Sequence, residues 1–197
     1  LIIGFLQGLT AGFTVITAQH FGAGNMKAMR QSVASACILS AVVSVIMTVL
    51  SMSMMKQILG WMNTPPEIYS EAYGYIMVIC AGIVAQVLYN LLASILRALG
   101  NSKVPLYFLI LAAFLNVVLD LVFIIVFHMG AAGAAYATVI SQGVSGAACL
   151  LYIFKSVPDL HLNKEDWRLH RDLSMWQLRI GLPMALQYSI TAIGAIM

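Results

Sequence analysis

The chain has 197 residues, of which 61% are hydrophobic and 9% charged, with a mean hydropathy of +0.94 and a formal net charge of +3. Soluble domains run at about 45–50% apolar and about 25% charged, so a chain of this length could not hide its apolar surface from water. A soluble enzyme or binding module is excluded, disorder is excluded with it, and an integral membrane protein remains.

A membrane-crossing helix needs about 20 apolar residues, and formal charges punctuate the runs. Residues 1–26 contain none and predict a first span over about 1–20, closed by Gly22-Ala23-Gly24-Asn25. Gly4, Gly8 and Gly12 recur every four residues there, a face on which a second helix can approach closely. The second span is expected over 32–56, closed by the segment from Gly60 to Pro65-Pro66. The third, 72–96, carries Gln86 and Asn90 four apart, with Tyr75 and Tyr89, as candidates to line a polar cavity. Gly100-Asn101-Ser102 leads to the fourth, 104–127, with Pro105 in the first turn where proline is tolerated.

A break at His128-Met129-Gly130 opens the fifth span, 131–154, with Gly133, Ala137, Ser141 and Ser145 repeating the small-residue spacing. The one long connector, from Lys155 to about Gln177, holds Pro158, mixed charge, Trp167 and Trp176, and suits a short interfacial helix. A partial sixth span follows over 178–197, with Pro183 early enough to kink it. No dyad alternation of the kind a membrane β-barrel requires is present. The expected fold is an all-α polytopic bundle of five full spans and a partial sixth. Leu1 and Met197 both lie within apolar runs, so the sequence reads as a piece of a longer polypeptide.

Alternating the connectors across the membrane puts Lys27, Arg30, Arg97, Lys103, Lys155, Lys164, Arg168, Arg171 and Arg179 on one side and Lys56 alone on the other. Basic loops stay in the cytoplasm, so loops 21–31, 97–103 and 155–179 are assigned there. The three cysteines, Cys37, Cys80 and Cys149, are scattered through apolar runs and suggest neither a disulfide framework nor a metal site. The 12 methionines read as gap fillers, or in part as an adaptable binding surface.

Asp120 is the one acidic residue within any of the spans, and the one formal charge in a span interior. A carboxylate at mid-membrane costs about 2.5–3.5 kcal/mol on insertion scales, and such residues ordinarily face a partner or a pathway. A proton or a cation sharing the site would relieve that cost. Asn116, one turn earlier on the same face, can hydrogen-bond the carboxylate or offer a carbonyl oxygen. With the outer turn centred near Met129, Thr138 is expected level with Asp120, about 13 Å below it at 1.5 Å per residue. Carboxylate, amide and hydroxyl make a hard oxygen-donor set, suited to sodium or proton rather than a thiophilic metal. The alternative is a hydrogen-bonded cluster that only fixes two helices.

Several phrases converge: AQHFGAGN (18–25), LRALGNSKVPLY (96–107), LNVVLDLVFI (115–124), GAAGAAYATVISQ (130–142) and LRIGLPMALQ (178–187). In this order the sequence resembles the multidrug and toxic compound extrusion (MATE) family of secondary transporters, in its prokaryotic DinF-like and NorM-like branches. The resemblance implies two six-helix lobes. This chain would then hold the second to sixth helices of the first lobe in 1–155, the cytoplasmic inter-lobe loop in 156–177, and the start of the seventh helix in 178–197. It also implies an inner-membrane antiporter, not an enzyme, that exports organic compounds against inward Na+ or H+. Asn116, Asp120 and Thr138 match the family's cation-site constellation position by position.

The substrate implied is drug-like, amphipathic or cationic. No cofactor beyond the coupling ion and no nucleic-acid partner are expected, membrane lipid surrounds the chain, and a monomer is expected at full length. Two other readings stay open. One is a flippase for lipid-linked precursors, for which a strongly cationic cavity would be expected and which spans lacking Lys and Arg disfavour. The other is a membrane scaffold in which Asp120 only holds helices together.

Overall fold

The structure is a computed structural model that describes residues 2–61, 65–163, 165–167 and 171–194. Among these, seven α-helices follow in order: α1 Ile2–Gly22, α2 Met26–Trp61, α3 Pro66–Ala81, α4 Ile83–Ala98, α5 Lys103–Leu121, α6 Gly130–Ser156 and α7 Arg171–Gly194. A π-helical turn, Val122–Val126, extends α5, and a 3-10 turn, Pro158–Leu160, follows α6.

Helices α1, α2, α6 and α5 with its π turn are each long and apolar enough to cross a membrane. Helices α3 and α4 meet the same length and hydropathy requirement only as a pair, bent by 44° at Gly82. The bend has a packing cause. Gly82 has φ −81°, an ordinary backbone, but a Cβ there would overlap the Val139 side chain of α6. The missing side chain lets the elbow of α3 and α4 seat against α6.

Two of the turns on the basic side share one design. Gly24 (φ 71°) and Gly100 (φ 82°) adopt left-handed backbone after α1 and α4, and the amide of the next residue reaches back to the carbonyls of His20 and Leu96. Asn25 and Asn101 then cap the next helices, accepting from Ala28 N–H (3.1 Å) and Val104 N–H (3.2 Å). The Gly-Asn pairs of the sequence thus end one helix and start its antiparallel successor.

Helix α4 sits at the centre, with α1 and α2 on one side and α6 on the other. Leu9, Phe13, Met29, Val33, Leu92, Ile95 and Cys149 form the main core. Helix α5 is peripheral and packs on α6. Its outer face, with Tyr107, Ile110, Phe114 and Val117 all more than half exposed, is apolar and suits lipid contact. Pro105, Ala112, Asn116 and Asp120 follow one another on the inner face. Helix α7 packs along α1. A Cβ on Gly8 would stand 2.7 Å from Ala185 Cα, and one on Gly12 would stand 2.5 Å from Gly181 Cα. The glycine stripe of the first span is therefore spent on backbone approach to α7.

The connector differs from expectation. Among the described residues its first part holds the 3-10 turn, and its last part, from Arg171, is already α7, which was expected to begin at 178. Lys164 and Arg168 of the connector lie outside the described residues.

Candidate ion site and substrate groove

The α5–α6 hairpin brings two of the three expected ion-site residues together. Asn116 Nδ2 donates to Thr138 Oγ1 at 3.3 Å, and Thr138 Oγ1 donates to the Ala134 carbonyl at 3.0 Å. Asp120 lies one turn beyond Asn116, towards the π turn. Its Oδ1 is shielded from solvent and has no hydrogen-bond partner among the described residues.

The expected register needs correcting in one respect. Thr138 meets Asn116, not Asp120, and of the two roles open to Asn116 the hydrogen bond to Asp120 is not formed in this structure. The cause is the π turn: Phe127 N–H bonds to Val122 O and Met129 N–H to Phe123 O, wider loops than an α-helix makes. The Asn116–Thr138 pair is centred on residue 127 rather than 129, and Asp120 follows Asn116 by one turn on the side of the outer turn. The Ala134 carbonyl, on the Thr138 face of α6, is a further oxygen that the sequence does not single out.

The four expected cavity residues separate. Asn90 lines a cavity of about 550 Å³ between α1, α4 and α7, together with Gln7, Thr14, Ser94, Arg97 and Tyr188. Asn90 and Tyr89 both border a second cavity of about 290 Å³ that runs to Ser102 and Pro105. Tyr89 donates its hydroxyl to Pro105 O at 3.2 Å, which ties α4 to the first turn of α5. Gln86 is buried in the helix contact, and its carbonyl accepts from Asn90 Nδ2 at 2.8 Å. Tyr75 is 38% exposed on α3 and lines neither of these cavities. Arg97 is the addition. Assigned by sequence to the connector, it is helical and borders both cavities.

The family model described as MatE matches residues 1–122. The chain belongs to the MatE family. The MatE chain is 32% identical over 191 residues to the probable multidrug resistance protein YpnP of Bacillus subtilis, across 96% of this chain and 42% of YpnP. It is 31% identical over 202 residues to the probable multidrug resistance protein NorM of Thermotoga maritima, across 98% of this chain and 42% of that protein. Among solved structures it resembles a MATE transporter of the MOP superfamily in an inward-facing conformation, with TM-score 0.89, 28% identity and coverage of 95% of this chain and 43% of that one. An outward-facing MATE structure matches with TM-score 0.91 and 27% identity, over 99% of this chain and 44% of that one. The MatE chain thus spans under half the length of these relatives. It is a multi-pass protein of the inner membrane, from a family of transporters.

The structure also uses polar residues that the sequence left in the connector. Gln177 is fully buried, and its Nε2 donates to Ser32 O at 2.8 Å and to Phe13 O at 3.4 Å. Ser35 and Ser174 hydroxyls lie 3.1 Å apart, and His20 meets the Trp176 ring edge-on at 6.4 Å. Arg30 Nε stands 3.5 Å from Asp166 Oδ2, which also accepts from Asn163 N–H at 2.9 Å. These contacts join the α1–α2 turn to the connector and the start of α7. The first turns of α2 and the start of α7 therefore lie at one end of the bundle.

Proposed function

We propose that this chain supplies the ion-coupling site of a secondary antiporter that exports amphipathic organic compounds against inward Na+ or H+ by alternating access. One observation carries the reading: a shielded, unpartnered Asp120 oxygen within the membrane, one turn from the Asn116–Thr138 pair and the Ala134 carbonyl. A structural cluster would be expected to satisfy its own carboxylate, because a bare carboxylate in the membrane is costly. A site that must take up and release an ion needs an oxygen left open. The resemblance to both inward- and outward-facing transporters supports a protein with two global states.

An ion on Asp120 favours whichever packing of the α5–α6 hairpin gathers the oxygens. Only a difference in ion affinity between the two states can drive the exchange. The test is dye efflux from vesicles holding the full-length protein, driven separately by a sodium gradient and a proton gradient. The reading predicts that one gradient drives efflux and that Asp120→Asn abolishes it while the protein stays folded. Ion-driven efflux unchanged in Asp120→Asn would refute it, and no flux under either gradient would favour a scaffold.

A further inference from the structure

We infer that the groove between α1 and α4 receives the acidic group of an amphipathic organic anion, and that Arg97 is the charge that receives it. The inference deepens the antiporter reading and rests on it for where the ligand travels, though not for binding itself.

The groove follows a stripe on each helix. Gln7 and Thr14 mark the α1 wall, Asn90, Ser94 and Arg97 the α4 wall, and Tyr188 of α7 closes one edge. From Gln7 to Ala18 the α1 wall is about 16 Å long at 1.5 Å per residue. Its volume of about 550 Å³ falls in the range of drug-sized sites. Arg97 lies at its basic-side mouth, in the last turn of α4.

Charge decides what the groove accepts. Arg97 is the one formally charged residue lining it among the described residues. The intramembrane acid lines neither cavity that Arg97 borders: Asp120 lies 11 residues beyond Leu109, the last α5 residue at the second cavity, or about 16 Å further along the helix at 1.5 Å per residue. No carboxylate pairs with Arg97 among the described residues. Its Nη2 instead donates to Ser94 Oγ at 3.0 Å, which holds the guanidinium along the groove wall. A guanidinium has five N–H donors in a planar fork, so most remain for a carboxylate or phosphate, the groups that fork binds in bidentate fashion. Arg97 is itself exposed at the mouth, and a cation there without an acidic partner among the described residues repels a cationic ligand and attracts an anionic one. Deeper in, Ala11 and Val15 give an apolar wall for the body of the ligand, with Asn90 and Gln7 as neutral polar contacts. On this inference the ligand is anionic, where the sequence reading expected an amphipathic or cationic compound. A single arginine also falls short of the strongly cationic cavity expected of a lipid-precursor flippase.

The acidic group can come from a free aromatic acid or from an anionic phospholipid, and the test separates them. The full-length protein in phosphatidylcholine nanodiscs is titrated without any ion gradient with fluorescein, an aromatic anion, and with ethidium, an aromatic cation. Fluorescein should bind at least about tenfold more tightly than ethidium, the worth of one charge-assisted hydrogen bond. Arg97→Gln should remove that preference, Arg97→Lys should restore part of it, and ethidium binding should hold or tighten in Arg97→Gln. Adding phosphatidylglycerol displaces fluorescein if the lipid phosphate is the resident anion and leaves it bound if a free acid is; either result keeps the anion site. Equal binding of the two dyes to the unaltered protein would overturn the inference, as would equal weakening of both by Arg97→Gln and Arg97→Lys. Because no gradient is present, a failure of antiport leaves this result standing.

Discussion

Replacing Asp120 by Asn removes one formal charge from a half-buried position and leaves the shape of the side chain nearly unchanged. If the carboxylate waits for an ion, the empty protein carries its desolvation cost unrelieved, because Oδ1 has no hydrogen-bond partner among the described residues. That cost is about 2.5–3.5 kcal/mol at the bilayer centre, and the lower end applies because the residue is only partly buried. Two effects of opposite sign follow. Without the coupling ion, Asp120→Asn should be more stable than the unaltered protein, by up to about 2.5 kcal/mol. With the ion, the unaltered protein gains stability and the variant does not. Removing that relief weakens ion affinity by nearly two decades, about 1.4 kcal/mol per tenfold. Thermal unfolding of the full-length protein in detergent checks both, with sodium replaced by potassium at constant ionic strength and then with pH varied. A carboxylate that merely fixed helices would give the opposite result: Asp120→Asn would be less stable in every buffer. The same sodium or pH response in variant and unaltered protein would refute the reasoning.

Three further outcomes follow from the geometry. Thr138→Val deletes the hydroxyl that accepts from Asn116 and should cost about 0.6 kcal/mol of stability, at most about 1.7, while lowering ion-dependent stabilisation more than this loss accounts for. Gly82→Ala places a methyl against Val139 and should destabilise by about 1–3 kcal/mol, with Val139→Ala restoring most of it in the double variant, read by denaturant unfolding. Asn101→Ala removes the cap on Val104 N–H and should cost about 1 kcal/mol; hydrogen exchange should show the first turn of α5 opening before the rest.

The spans were legible because charge and apolar runs alternate so sharply in this sequence, and the Gly-Asn turns because glycine takes the left-handed backbone that precedes each cap without steric cost. Asp120 was legible as an isolated acid in an apolar helix. Its register was not. The segment Val122–Val126 has no residue that distinguishes a π turn from an α turn, yet that turn decides whether Asp120 or Asn116 faces Thr138. The bend at Gly82 was equally hidden, since it depends on the neighbouring Val139 and not on the helix itself. Arg97 and Gln177 were misplaced for a common reason. Counting charged and polar residues as connector assigns helix ends to loops, although a helix runs on through them, whether the residue is exposed like Arg97 or buried like Gln177. Arg97 could have been found by its spacing: it is three residues from Ser94 and seven from Asn90, on one face of α4.

The positions of the acid and the groove constrain how they can communicate. Helix α4 contacts α1 on the groove side and α6 on the ion side, and the Tyr89–Pro105 hydrogen bond carries it to the foot of α5. On the two proposals ion and organic ligand do not contend for one carboxylate, and exchange between them passes through the packing of α4 against α6 and α5. Direct competition and linkage of this kind have different signatures. Under competition, the apparent Kd for fluorescein rises in proportion to ion concentration without limit. Under linkage it rises to a plateau whose height is the coupling factor, typically about 5–150-fold, and fluorescein weakens the ion by the same factor. Titrating fluorescein at increasing sodium, or decreasing pH, should show that plateau. A Kd that keeps climbing far above ion saturation would place both ligands on one shared residue and would dissolve the separation of Asp120 from the Arg97 groove.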